Sequence, residues 1–126
     1  MKPQPVQPDG VVRPRAPYSP AVVSGDHVFT AGQVGFDHDG EVVEGGVGAQ
    51  TRRALENVRA CLEAAGSDLE HVVKVNVFLA DLGEFDAYNE VYREFFSEPY
   101  PARTTVGASL PGRLRIEIEA VARLRE

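Results

Sequence analysis

The chain has a single cysteine, Cys61, in 126 residues. One thiol excludes an intramolecular disulfide, so the fold must rest on its apolar core, and such usage fits a reducing compartment. Set between Ala60 and Leu62, it reads as a small helix residue rather than a nucleophile. Histidine is scarce too: His27, His38 and His71 are scattered. None has a Cys or His partner at zinc-ligand spacing, so no protein-bound metal is expected. No apolar run approaches the ~20 residues a membrane helix needs. The opening MKPQPVQPDGVVRPR lacks the apolar stretch of a secretory signal. Residues 1–15 are expected to form a flexible, extended leader, residues 16–126 a single domain, and the cytoplasm is the expected location. Basic charge is lacking as well. A net charge of -6 argues against a general nucleic-acid surface.

What is present is ordinary globular material, 43% hydrophobic and 25% charged, in a length that suits one core. Two β-prone runs in VVSGDHVFTAGQVGFDHDGEVVEG are broken by Ser24-Gly25-Asp26 and His38-Asp39-Gly40, which predicts a hairpin or meander. The run Gly45-Gly46-Val47-Gly48 lacks phosphate-loop spacing and reads as a linker. From Ala49 to Ala65, Thr51, Leu55, Val58 and Leu62 recur at helical steps opposite Arg52, Glu56, Arg59 and Glu63, with Gly66 as the stop. Val73, Val75, Val77 and Leu79 alternate as a half-buried strand. Asp81 to Glu84 has the form of a capping box, opening a helix whose stripe is Phe85, Tyr88, Val91, Tyr92, Phe95 and Phe96. Two alternating runs, RTTVGASL and LRIEIEAVARL, flank a Pro111-Gly112 turn. The order β-β-α-β-α-β-β predicts an α+β fold, one mixed sheet with two helices on one face. The other sheet face mixes Thr, Lys, Asn and Glu with Val, which suggests contact with another chain.

Arg103 and Glu117 stand out. If their strands pair across the Pro111-Gly112 turn, both side chains leave the sheet on one face. They would then form either a surface ion pair worth at most about 1 kcal/mol or a working pair. In the second case the guanidinium grips a carboxylate bidentately while the glutamate handles a proton or a water. Tyr18, between prolines in APYSPAV, packs as a lid or anchors the leader. Asn89 faces solvent, or bonds a ligand or loop at a cleft. Ser19 and Ser109 have no His-Asp partnership, so a serine-hydrolase triad is unsupported.

Six segments taken together resemble the reactive intermediate deaminases, the Rid or YjgF family of enamine/imine deaminases. They are APYSPAV, FTAGQVG, QTRRALENVRACLEAAG, VVKVNVFLADLGEFDAYNEVYREFF, YPARTTV and LPGRLRIEIEAVA, spanning Ala16 to Ala122 in order. The resemblance implies a chorismate mutase-like fold, built into a homotrimer whose sheets form a central barrel with clefts between subunits. It implies that Arg103 binds the carboxylate of a 2-imino or 2-aminoacrylate acid and that Glu117 attends the water or the imine nitrogen. Tyr18, Gly32 and Asn89 correspond to further pocket positions, and Thr105 offers a backbone N–H. Thr105 and Gly107 stand where well-studied members often carry a cysteine and a larger or acidic residue, which alters the cleft's shape.

The implied reaction is hydrolysis of 2-iminopropanoate or 2-iminobutanoate to a 2-oxo acid and ammonia, without metal or cofactor. Two alternatives belong to other classes. One is a non-catalytic trimer that binds 2-oxo acids; the other is the endoribonuclease or translation-inhibitor activity named for relatives. The second has little support in a chain with no histidine pair and no basic patch.

Overall fold

The computed structural model describes residues 2–126. Seven strands form one sheet: β1 (Gln4–Val6), β2 (Ala21–Ser24), β3 (His27–Thr30), β4 (Gln33–Val34), β5 (Val72–Leu79), β6 (Ala102–Gly107) and β7 (Ile116–Arg123). Helices α1 (Gly46–Ala64) and α2 (Phe85–Phe95) pack on one face. This is the α+β architecture expected from the alternation. The sheet order is β1-β2-β3-β7-β5-β6, with β4 paired to β7 beyond the end of β3. Among the described residues only β5 and β6 run parallel, joined by α2 as the crossover. No helix is long and apolar enough to cross a membrane among the described residues.

Three local expectations are corrected. The glycine run does not precede α1 as a linker, because the helix begins at Gly46 and takes most of that run as its first turn. The capping box is half formed. Asp81 accepts from the Gly83 N–H at the head of a 3-10 turn, but the Glu84 carboxylate turns to Arg115 at 2.6 Å. The period-two register of β5 breaks at its start, where a bulge between Val72 and Lys74 turns Val73 outward, 42% exposed, and Val72 inward. The leader also carries a strand that its prolines do not announce: Gln4–Val6 pairs with Val23–Ala21 of β2.

The core lies between the helices and the sheet. Ile116, Ile118, Ala120 and Ala122 of β7 and Val75, Val77 and Leu79 of β5 meet Leu55, Val58 and Leu62 of α1 and Tyr88 of α2, all buried. Alternation puts the intervening residues of β5 and β7, among them Asn76, Phe78, Glu117 and Glu119, on the opposite face.

The seam beside β7 is tied by side chains. The Thr30 hydroxyl accepts the Ala120 N–H where β3 breaks before β4, and Asn57 of α1 donates to the carbonyls of Val34 and Phe36. Gln50, buried in α1, donates to the Arg113 carbonyl and accepts from the Arg115 N–H, fixing the entry to β7. Each tie satisfies a backbone group that the irregular strand leaves open.

Candidate active site

Register decides where the candidate residues go. Arg103 lies beside Val75 and Thr105 beside Val77, and both β5 partners point into the core, so Arg103 and Thr105 face the helices. Glu117 lies beside Phe78, on the other face. Strands β6 and β7 are not a hairpin, because β5 runs between them. The expected pairing of Arg103 with Glu117 across the Pro111-Gly112 turn is therefore wrong, and within one chain the two side chains leave opposite faces.

On the helix side, β6 is the last strand, and α2 closes over its Arg103. Asn89 accepts a hydrogen bond from Arg103 Nη1 at 2.7 Å. The guanidinium carbon sits 4.7 Å from the ring centre of Tyr92, 5.1 Å from that of Tyr88 and 5.7 Å from that of Phe85. Three aromatic faces hold a permanent cation without neutralising it. The stripe that reads as core in the sequence thus has a second duty, legible only once β6 is placed beneath it. Tyr88 also bonds the Thr105 hydroxyl at 2.5 Å, so the Thr105 side chain is tied to α2. Burial raises the pKa of the Tyr88 phenol and pushes that of Tyr92 up to about 12, so both stay protonated at neutral pH. Asn89, Tyr92, Arg93, Tyr100, Pro101 and Arg103 line a cleft of about 350 Å³.

On the far side, Tyr18, Gly32 and Glu117 line a second cavity of about 520 Å³, walled by the leader and by β4. Gly32 is there for space: a Cβ at this position would lie 2.5 Å from Glu117 Oε2. Burial, and next the charge of Glu119, raise the Glu117 carboxyl above its ordinary range. A carboxylate so placed is a better proton acceptor than a solvated one. Glu119 is itself engaged by the Asn76 amide at 3.1 Å.

The six candidates thus fall into two groups. Arg103, Asn89 and Thr105 gather under α2 on the helix side of β6, and Tyr18, Gly32 and Glu117 gather in the cavity beside β4. Among the described residues no cluster of three or more His, Cys, Asp or Glu is arranged to hold a metal ion.

The family model described as Endoribonuclease L-PSP matches residues 10–124. The chain belongs to this family, that of the Rid or YjgF proteins. A RutC family protein of Pyrococcus horikoshii is 49% identical over 87% of this chain and 89% of its own. The human 2-iminobutanoate/2-iminopropanoate deaminase is 44% identical over 84% of this chain and 79% of its own. The crystal structure of E. coli TdcF with bound serine superposes with a TM-score of 0.89 at 36% identity, over 97% of this chain and 99% of that one. Names within the family are mixed, endoribonuclease among them, while several relatives are named 2-iminobutanoate/2-iminopropanoate deaminase. The fold expected from the resemblance is the fold these relatives share.

Proposed function

We propose that this protein hydrolyses 2-imino acids, such as 2-iminobutanoate and 2-iminopropanoate, to 2-oxo acids and ammonia in clefts between the subunits of a homotrimer. The observation that carries the reading is Arg103: a cation held by three rings and an amide, with no ion pair to a carboxylate among the described residues. A guanidinium kept free in this way suits the carboxylate of a small acid.

Because Glu117 leaves the other sheet face, the second half of the site comes from a neighbouring copy. The exposure of Phe29 and Val106 on that face, 44% and 43%, supports its being covered by one. In the cleft Arg103 orients the carboxylate, and Glu117 takes a proton from water as the oxygen bonds to C2. That proton passes to nitrogen, Glu117 then carries the proton of the new C2 hydroxyl to the same nitrogen as the C–N bond breaks, and one water and one imine become one 2-oxo acid and one ammonia. Raised basicity at Glu117 and orientation by Arg103 supply the driving terms, and the chemistry asks for no metal or cofactor. A cytoplasmic location belongs to the same reading, supported by the single cysteine.

A threonine dehydratase releasing 2-iminobutanoate in the presence of semicarbazide tests it. The protein should lower semicarbazone formation in proportion to its concentration, and Arg103→Ala should abolish the effect. No loss of imine over spontaneous hydrolysis refutes the reading. Binding of 2-oxobutanoate without turnover would leave a ligand-binding trimer in its place.

A further inference from the structure

The Arg103 cleft holds more positive charge than a monocarboxylate needs. Arg93 lines it together with Asn89, Tyr92, Tyr100 and Arg103, and no carboxylate contributes to the lining among the described residues. On α2, Asn89 and Arg93 are four residues apart, so they share one face with Cβ atoms about 5–6 Å apart. Arg103 bonds the first of them. Arg93 from α2 and Arg103 from β6 thus line the same cleft, one on each side of the Asn89 position.

Two arginines of α1 reach across to α2 and are both engaged there, Arg52 by Glu94 through hydrogen bonds of 2.9 and 3.1 Å and Arg59 by the Phe95 ring at 5.4 Å. Arg93 has no ion pair and no side-chain hydrogen bond among the described residues. A second, independent sign is the Tyr92 hydroxyl: it is buried, it belongs to a residue only 4% exposed, and it has no hydrogen-bond partner. A buried phenol without a partner is a donor awaiting an acceptor. Tyr100, half exposed, adds a further hydroxyl at the rim. The cleft lining thus carries two guanidiniums and two phenols and no carboxylate among the described residues.

We propose that Arg93 makes this cleft selective for acids with two anionic ends, 2-imino and 2-oxo dicarboxylates, with Arg103 taking the carboxylate next to C2 and Arg93 the distal one. The assignment rests on the hydrolytic reading of the same site and narrows its substrate class. The imines concerned are those that oxidation of an acidic amino acid releases, so a reaction removing two electrons from an aspartate- or glutamate-like amine would supply them.

Calorimetric titration of the full chain at constant ionic strength tests it, with 2-oxobutanoate, 2-oxoglutarate and inorganic phosphate as ligands. 2-Oxoglutarate is expected to bind about tenfold more tightly than 2-oxobutanoate, as befits one additional charge-assisted contact. Arg93→Gln should erase that difference, Arg93→Lys should keep part of it, and Arg103→Ala should remove both ligands. Equal affinities in the unaltered protein, binding of neither oxo acid, or a preference that survives Arg93→Gln overturns the proposal. Displacement of 2-oxoglutarate by phosphate at equal concentration overturns it as well, since the cleft would then bind any anion. Hydrolysis of 2-iminobutanoate by the unaltered protein, measured alongside, separates the two readings. A protein that clears this imine yet binds both oxo acids equally loses only the Arg93 assignment, whereas one that clears none loses the hydrolytic function.

Discussion

Replacing Gly32 by alanine adds one methyl group at the point where β4 meets the Glu117 side chain. The new Cβ would lie 2.5 Å from Oε2, 2.7 Å from Cδ and 2.8 Å from Cγ of Glu117. Ordinary carbon contacts need about 3.5–4.0 Å, so the carboxylate must retreat by about 1 Å or change rotamer. Gly32 does not have a positive φ, so the backbone itself tolerates alanine and the whole effect falls on Glu117. Because Glu117 lines the cavity its carboxylate has room to swing, and an off-rotamer side chain costs about 0.5–1.5 kcal/mol. Displacement of a catalytic group by about 1 Å lowers turnover by up to about 100-fold. Gly32→Ala is therefore expected to cut kcat for 2-iminobutanoate by about 10- to 100-fold with little change in KM, because Arg103 lies on the other face. Urea unfolding and the semicarbazide assay together read both effects. A variant with full turnover and full stability would refute the packing argument and the assignment of Glu117.

The Tyr88–Thr105 bond gives a cycle. Tyr88→Phe should cost about 1 kcal/mol and Thr105→Val more, because it strands a buried phenol, while the double variant should lose less than the sum; additive losses in urea unfolding would show that the two hydroxyls do not depend on each other. Glu117→Gln should stabilise the fold at neutral pH. The native carboxyl has a raised pKa, so its charged form is penalised above that pKa and the penalty vanishes as pH falls below the unfolded value. Thermal melts from pH 4 to pH 8 should show the gain growing with pH, and a gain independent of pH would contradict the burial of Glu117. Gly35→Ala should destabilise by about 1–3 kcal/mol, since its Cβ would fall 2.9 Å from the Gln50 Cα of α1; an unchanged urea midpoint would show that α1 can give way.

Much of the fold is readable because it is local. The period of Leu55, Val58 and Leu62 and the alternation of Ile116, Ile118 and Ala120 each follow from a few neighbours. What escapes is long-range. Pro111-Gly112 looks like a hairpin turn, yet β7 pairs with β5, and nothing within RTTVGASL or LRIEIEAVARL says that a third strand enters between them. The same insertion sends Arg103 and Glu117 to opposite faces and brings Phe85, Tyr88 and Tyr92 over the guanidinium. Arg103 and Glu117 can be singled out by residue type, but their separation depends on strand order. The strand at Gln4–Val6 is hidden for another reason: it sits between prolines at an outer edge, where one missing N–H does little harm.

The division of labour between the two faces of the sheet has a genetic consequence. If each cleft takes its arginine from one copy and its glutamate from the next, Arg103→Ala and Glu117→Gln are inactivating changes in one gene that nonetheless complement each other. Chains of the two kinds, unfolded together in equal amounts and reassembled, would pair an intact arginine with an intact glutamate in about one cleft in four. Two inactive proteins would yield an active mixture, and a heterozygous cell would keep a function that neither allele encodes alone.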